Sequence, residues 1–444
     1  MLGIELLIFI FVARHAQWSL DPYLTGFDTM EYKAIAQNLV LNNTFSKSLE
    51  IPLIPNFFRS PGYPFWLAFI YMIFNSFKPA VFLGIIIFAT LAPLIYLIIR
   101  EVFSEKLAFL TGIIFALEPR MAFSAPFLLS EQIFVPVFFL AIFFAIKFFN
   151  HPQCNRYMFF SAIFLATSSL IRGISLYLWP VFIIFFFFKL YKTWPMAKIL
   201  KIFALTTFAL ISIISPWLLR NRITLGTWQS SSLFGIHLYW GHLETLQRYL
   251  GVPQEIAHQK NLDRAIELTG GNFETPESVN ILTKSALEEI KNNFGAYIKI
   301  YAFNAGLFFI TDGYKGIASY IVNLNPNYIN LGDYIIKLQI GEVLNHLKSF
   351  SLMELFIPIA GRTLWSIIII LSFIGAFISI KKAPAQRLII ALLIFLPVYF
   401  ALLTGPIFSP DPRFRMPVNG FLFAFALVGI FYFLKKKFQY ELSS

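Results

Sequence analysis

Cysteine is almost missing from this chain: Cys154 stands alone among 444 residues. That excludes an internal disulfide framework and any cysteine-built metal site. Histidine is also scarce, with six scattered copies. Of these, His237 and His242 with Glu244 come nearest to a ligand cluster, but their spacing matches no standard metal motif and reads as ordinary loop polarity. Charge is sparse, since only 13% of residues are Asp, Glu, Lys or Arg. Neither an internal repeat nor a low-complexity tail is visible. What fills the chain instead is apolar: 58% of residues are hydrophobic, 18% are aromatic, and the mean hydropathy is +0.70. A soluble domain could not hide that much apolar surface, so lipid is the solvent. The first run, 2–12, has no basic region before it and no small-residue cleavage site after it. It reads as a short, retained anchor rather than a cleaved signal.

The net charge of +12 could suggest nucleic acid, but its distribution does not. Lys189, Lys192, Lys198 and Lys201 bound one pair of apolar runs, Lys381, Lys382 and Arg387 another, and Lys435, Lys436 and Lys437 follow the last. Lysines in short connections mark cytoplasmic loops. Parity then fixes the rest. The run 63–77 is too short to span and opens with Pro61, Gly62 and Pro64, so it is predicted to be re-entrant or juxtamembrane. With that run set aside, all lysine clusters fall inside, while Asp28, Arg59, Glu131, Arg172, Arg220 and Arg413 fall outside. The expected architecture is an all-α polytopic membrane protein of about ten transmembrane helices. Three regions follow: a transmembrane module over 1–218 with its first outer loop at 18–79, an extracytoplasmic and partly interfacial helical region over 219–355, and C-terminal transmembrane helices over 356–444. Within the middle region, Thr275-Pro276-Glu277-Ser278 predicts a helix start and an amphipathic stretch to about residue 310.

Three acids stand on the outer side. Asp28 opens a helical pattern, and Glu118 and Glu131 flank the proline-bounded loop 119–126. Asp28 also suits a helix cap, and Glu131 a helix-start carboxylate favoured by the macrodipole. Arg59, Arg120, Arg172, Arg220, Arg222, Arg413 and Arg415 all fall at outer helix ends, where positive charge is normally disfavoured. For Arg120, Arg222 and Arg415, pairing with nearby acids or lipid head groups is an equal alternative. Together they point to a cationic cavity, because guanidinium groups grip phosphate in a bidentate way. One carboxylate plus several arginines beside lipid suits glycosyl transfer from a polyprenyl-phosphate sugar. The lipid phosphate leaves well once cations neutralise its charge, and the acceptor hydroxyl needs only a base.

Four segments also resemble a known family. They are Gly26-Phe27-Asp28 with Tyr32 and Asn38-Leu39, running on to Arg59-Ser60-Pro61-Gly62-Tyr63-Pro64; Ala116-Leu117-Glu118-Pro119 through Leu129-Ser130-Glu131; Ser215-Pro216-Trp217-Leu218-Leu219-Arg220-Asn221 with Gly235, Trp240 and Gly241; and Arg413-Phe414-Arg415-Met416-Pro417. In that order they resemble the GT-C fold glycosyltransferases, in particular the bacterial branch similar to lipid A aminoarabinose transferase and the protein O-mannosyltransferases. The pattern departs from the family where no acid adjoins Asp28 and where His242 replaces a common Asn. The resemblance implies a GT-C-like integral-membrane inverting glycosyltransferase that uses a polyprenyl-phosphate sugar and an extracytoplasmic lipid, glycan or protein acceptor. Asp28 and Glu131 would be its catalytic acids, with Asp28 as the general base. Arg59, Arg172, Arg220 and Arg413 would hold the donor phosphate, and Tyr32, Tyr63, Glu118, Asn221 and Arg415 would line the substrate site. The resemblance leaves the cofactor open: none is fixed by the motifs, and a divalent metal joining Asp28 and Glu131, as in the oligosaccharyltransferase relatives, is the alternative. Membrane lipids are expected partners and nucleic acid is not. The location implied is the bacterial inner membrane, with the site on its outer face. A lipid or solute transporter and a membrane polysaccharide polymerase are the alternatives, though neither an inverted repeat nor a midplane polar site supports transport.

Overall fold

The computed structural model describes residues 1–444 except 17, 18, 49, 323–334, 336, 338, 349, 405–410 and 435–444. The Lys435-Lys436-Lys437 cluster therefore lies outside the described residues. All regular elements among the described residues are helical. Seven helices are long and apolar enough to cross a membrane: Lys78–Arg100, Glu131–Asn150, Gly173–Leu190, Met196–Leu225, Leu352–Lys382, Pro384–Thr404 and Pro412–Phe433. The remaining three of the ten expected runs form shorter helices, Leu2–His15, Glu105–Leu117 and Asn155–Ile171, of 14, 13 and 17 residues.

Helix Met416–Phe433 is the axis of the bundle, apolar all round and buried from Met416 to Gly429. It packs most extensively along Leu352–Lys382 and also against Glu105–Leu117. Small residues make the first contact close. A Cβ on Gly375 would lie 1.9 Å from the Phe425 carbonyl oxygen, and one on Gly429 would lie 2.4 Å from that of Leu371. Lipid tails are as apolar as leucine, so such close backbone approach is a main source of helix adhesion here. Helix Leu352–Lys382 begins with a capping box: Ser351 Oγ accepts from Glu354 N, and Glu354 Oε2 accepts from Ser351 N at 2.8 Å.

The run after Pro61 forms Gly62–Phe74, a helix of 13 residues. At about 1.5 Å per residue it spans about 20 Å, short of the ~30 Å hydrocarbon core. It lies along helix Phe27–Asn42, and both flank the first outer loop. Gly62 is required there, because a Cβ would meet the backbone of Leu170 and Ile171 at 3.0 Å. That contact brings the Arg59 segment against the C-terminal end of Asn155–Ile171, beside Arg172.

In the middle region, Thr275 caps Pro276–Asn292 as predicted, its Oγ1 accepting from Ser278 N at 3.2 Å. The following helix, Phe294–Ile310, is apolar rather than amphipathic and packs against Leu352–Lys382 and Arg387–Thr404. Its C-terminal carbonyls are held by Arg415, and Tyr301 OH donates to the Leu402 carbonyl. This helix thus rests on the same end of the bundle as Asp28, Glu131 and Arg413.

Candidate active site

Four segments far apart in sequence meet at one end of the bundle, opposite the ends that carry Lys189, Lys198, Lys381 and Lys382. Asp28 is the second residue of Phe27–Asn42, a helix whose start uses no side-chain cap. Its carboxylate turns to two arginines instead of the backbone. Oδ1 accepts from Arg59 Nη2 at 2.6 Å and Oδ2 from Arg413 Nη1 at 3.0 Å. Arg59 also reaches Glu31, one helical turn after Asp28, with Nε at 2.7 Å and Nη2 at 2.6 Å. Its guanidinium lies against the rings of Tyr32 and Phe58 and is only 7% exposed. Thr29 Oγ1 donates to the Leu128 carbonyl at 3.1 Å, which ties the Asp28 helix to the loop before Glu131.

Glu131, 3% exposed, opens the Glu131–Asn150 helix and pairs with Arg172. Arg413 bridges the two acids: while Nη1 bonds Asp28, Nε lies 3.9 Å from Glu131 Oε1 and 3.5 Å from Asp411 Oδ2. On the far side of Asp411, Arg120 Nη2 approaches Oδ1 at 3.2 Å. The Phe414 ring lies under both Arg172 and Arg413. Lys47 extends the network outward, bonding Glu31 at 3.1 Å and also Glu274.

Burial by itself would raise the Asp28 carboxyl, but Arg59 and Arg413 prevail and hold it below its ordinary value. The opposite pressure acts on His237, whose segment docks on the first outer loop through Ser232 N to the Phe57 carbonyl at 3.1 Å. Burial first, then the charge of Arg59, lowers its imidazole to about 4, so it is neutral at physiological pH. His237 ends a short helix that runs into a π-helical turn, Leu238–Leu243, a distortion frequent at functional sites.

Asp28, Glu131, Arg59, Arg172 and Arg413 are thus brought together, with Tyr32 beneath Arg59 and Tyr63 packed edge-on against Tyr32. Four other expected residues stand apart. Arg220 Nη1 donates to the Asn56 carbonyl and to Asn221 Oδ1, both at 2.9 Å, and clamps the first outer loop to helix Met196–Leu225. Asn221, fully buried, donates to the Gln229 carbonyl. Glu118 caps Pro119–Ser124 by accepting from Met121 N at 2.8 Å, and Tyr314 OH donates to it. Arg415, 1% exposed, gives its N–H groups to the carbonyls of Phe308, Phe309 and Thr311 and to Asn419 Oδ1. The reach of Arg220 and Arg415 is spent on main-chain carbonyls, away from the Asp28 cluster.

A divalent ion between Asp28 and Glu131 would need the place that the Arg413 guanidinium takes. Among the described residues no group of three His, Cys, Asp or Glu side chains could hold a metal. The donor set fits guanidinium partners rather than a divalent cation.

Residues 58–219 match the family described as dolichyl-phosphate-mannose-protein mannosyltransferase. The match covers rather more than a third of the chain. The matched segment holds Arg59, Glu131 and Arg172, while Asp28 and Arg413 lie outside it and are joined to it by the ion pairs above. No curated protein matches. Among solved structures, the apo oligosaccharyltransferase of Archaeoglobus fulgidus is similar at 14% identity and a TM-score of 0.45, over 98% of this chain and 51% of that one. ArnT of Cupriavidus metallidurans bound to undecaprenyl phosphate is similar at 14% identity and a TM-score of 0.42, over 96% and 78%. The archaeal enzyme AglB of Archaeoglobus fulgidus, in complex with an inhibitory peptide and a dolichol-phosphate, is similar at 14% identity and a TM-score of 0.42, over 98% and 50%. The chain therefore spans about half the length of the archaeal enzyme.

Proposed function

We propose that the protein is an integral-membrane inverting glycosyltransferase. It moves a sugar from a polyprenyl-phosphate carrier to a hydroxyl acceptor (lipid, glycan or protein) on the outer face of a bacterial inner membrane. The observation that carries this reading is the junction of Asp28 and Glu131 with Arg59, Arg172 and Arg413, drawn from four segments to one bundle end. The lysine clusters at the opposite ends support an extracytoplasmic orientation. A transporter would keep such groups near the midplane with access from both sides, so the one-sided cluster favours the enzyme.

The acceptor O–H gives its proton to the Asp28 carboxylate as its oxygen attacks the anomeric carbon from the face opposite the phosphate. The bond from that carbon to the phosphate oxygen breaks, the electron pair leaves on the phosphate, and the anomeric configuration inverts. The departing phosphate gains one negative charge, which Arg59, Arg172 and Arg413 neutralise in this reading, so no general acid is required. Glu131 sets the positions of Arg172 and Arg413. Purified protein should turn over a member of a radiolabelled polyprenyl-phosphate sugar panel. Efficient transfer from a soluble nucleotide sugar with no lipid carrier present would overturn the reading.

A further inference from the structure

The inner network is electrically full. Four carboxylates (Asp28, Glu31, Glu131, Asp411) are interleaved with four guanidinium groups (Arg59, Arg120, Arg172, Arg413). The outward pair of Lys47 and Glu274 adds one charge of each sign. An incoming phosphodiester therefore finds no surplus cation waiting, and must win an arginine from an acid already there.

The hydrogen-bond pattern marks which arginine yields. Arg413 Nε is buried and donates to nothing, since Asp411 at 3.5 Å and Glu131 at 3.9 Å are charge contacts only. Arg120 Nε is likewise buried without an acceptor. These two unmet donors stand on either side of Asp411 and differ from the saturated donors of Arg415. Buried N–H groups left unpaired are costly and rare, and a bound anion is the simplest way to satisfy them. Arg413 holds Asp28 by a single bond of 3.0 Å, whereas Arg59 is fixed by contacts to both Asp28 and Glu31. Arg413 is the member free to turn.

Resting on the donor reading above, we propose that the lipid phosphodiester seats between Arg120 and Arg413 beside Asp411, draws Arg413 off Asp28, and so releases Asp28 to take the acceptor proton. Binding the donor then arms the base. In the free protein two guanidiniums grip Asp28, which is a poor proton acceptor. After exchange it keeps Arg59 alone, and its half-buried setting weighs more toward proton uptake. The other charged groups near it stay in place: Glu31 through Arg59, Glu131 and Arg172 behind Arg413, and neutral His237 within reach of their field. The charges balance through the step, because the phosphate gains one negative charge as Asp28 loses one by protonation. Arg120 and Asp411 thereby acquire roles as donor-seat residues.

The test uses the full chain in nanodiscs and an uncleavable C-glycosyl phosphonate analogue of the donor, whose single acidic group does not titrate above pH 4. Calorimetry in buffers of differing ionisation heat, from pH 4.5 to 7, reads protons taken up on binding. The expected result is uptake that grows toward one proton as pH falls, with tighter binding in step. Asp28→Asn should still bind the analogue with the uptake gone. Arg120→Gln should weaken binding tenfold or more while each binding event keeps its proton. Binding with no proton uptake across this range would overturn the arming step and leave the glycosyltransferase reading standing. Unchanged affinity in Arg120→Gln would overturn the seat. A failure of any polyprenyl phosphodiester to bind would overturn both this inference and the reading on which it rests.

Discussion

Replacing Arg59 with lysine separates a forked grip from a mere positive charge. Arg59 makes three short contacts, to Asp28 Oδ1 at 2.6 Å and to Glu31 Oε2 at 2.6 and 2.7 Å, and lies against the rings of Tyr32 and Phe58. An ammonium is a compact point charge without the flat, rigid fork of a guanidinium, so it cannot hold Asp28 and Glu31 in the fixed relative directions that Arg59 imposes. Arg59→Lys therefore forfeits at least one charge-assisted hydrogen bond, each worth about 1.5–3 kcal/mol. Because the charge remains, the loss should stay under the roughly 3–5 kcal/mol seen when a buried pair is broken outright. We expect a destabilisation of about 2–3 kcal/mol, and a fall in kcat of roughly 10²-fold if Arg59 also meets the departing phosphate. Thermal unfolding in detergent and turnover at saturating donor measure the two effects separately. A double-mutant cycle with Glu31→Gln should return a coupling of about 0.5–3 kcal/mol. Wild-type melting and turnover in Arg59→Lys would refute the idea that geometry, rather than charge, is what Arg59 contributes.

Gly375→Ala should destabilise the bundle by about 1–3 kcal/mol through overpacking against the Phe425 carbonyl, while Gly306→Ala, with open space around it, should be near neutral in the same melt. The depressed Asp28 carboxyl contributes stability above its ordinary value of 3.8, and that contribution is lost as pH falls through the lower folded value. Unfolding midpoints should therefore drop more steeply in acid for the wild type than for Asp28→Asn, and parallel curves would contradict the pairing. Topology is checked by cysteines in a Cys154→Ser background. Lys260→Cys on the helix Gln254–Thr269, where the side chain is exposed, should react with an impermeant thiol reagent added to intact cells, and Thr193→Cys beside the lysine cluster should not. Ser46 is fully buried and would report nothing.

Much of this arrangement was legible in the chain because membrane solvation imposes simple rules. The long apolar runs, the helix start at Thr275, the short helix after Pro61 and the grouping of Asp28, Arg59, Glu131, Arg172 and Arg413 all follow from length, charge placement and motif order. Glu31 was missed, although a spacing of three residues from Asp28 on a helix places both on one face. Asp411 carried a weaker signal, two residues before Arg413. The destinations of Arg220 and Arg415 could not be read in advance. Arg220 depends on how the loop near Phe45 and Asn56 folds back, and Arg415 caps a helix end more than a hundred residues away in sequence. The neutral state of His237 could not be read locally either, since it arises first from burial and then from arginines on other segments.

Turnover of Asp28→Asn with a polyprenyl-phosphate sugar, scaled to the amount of folded protein that binds the donor, reads the base role of Asp28 directly. Asparagine keeps the size and an acceptor oxygen, but it cannot take a proton at neutral pH. Binding should persist and kcat should fall by roughly 10²-fold or more, the range for loss of a general base. Near-normal kcat in Asp28→Asn would contradict that role and leave Asp28 as a partner of Arg59 and Arg413 alone.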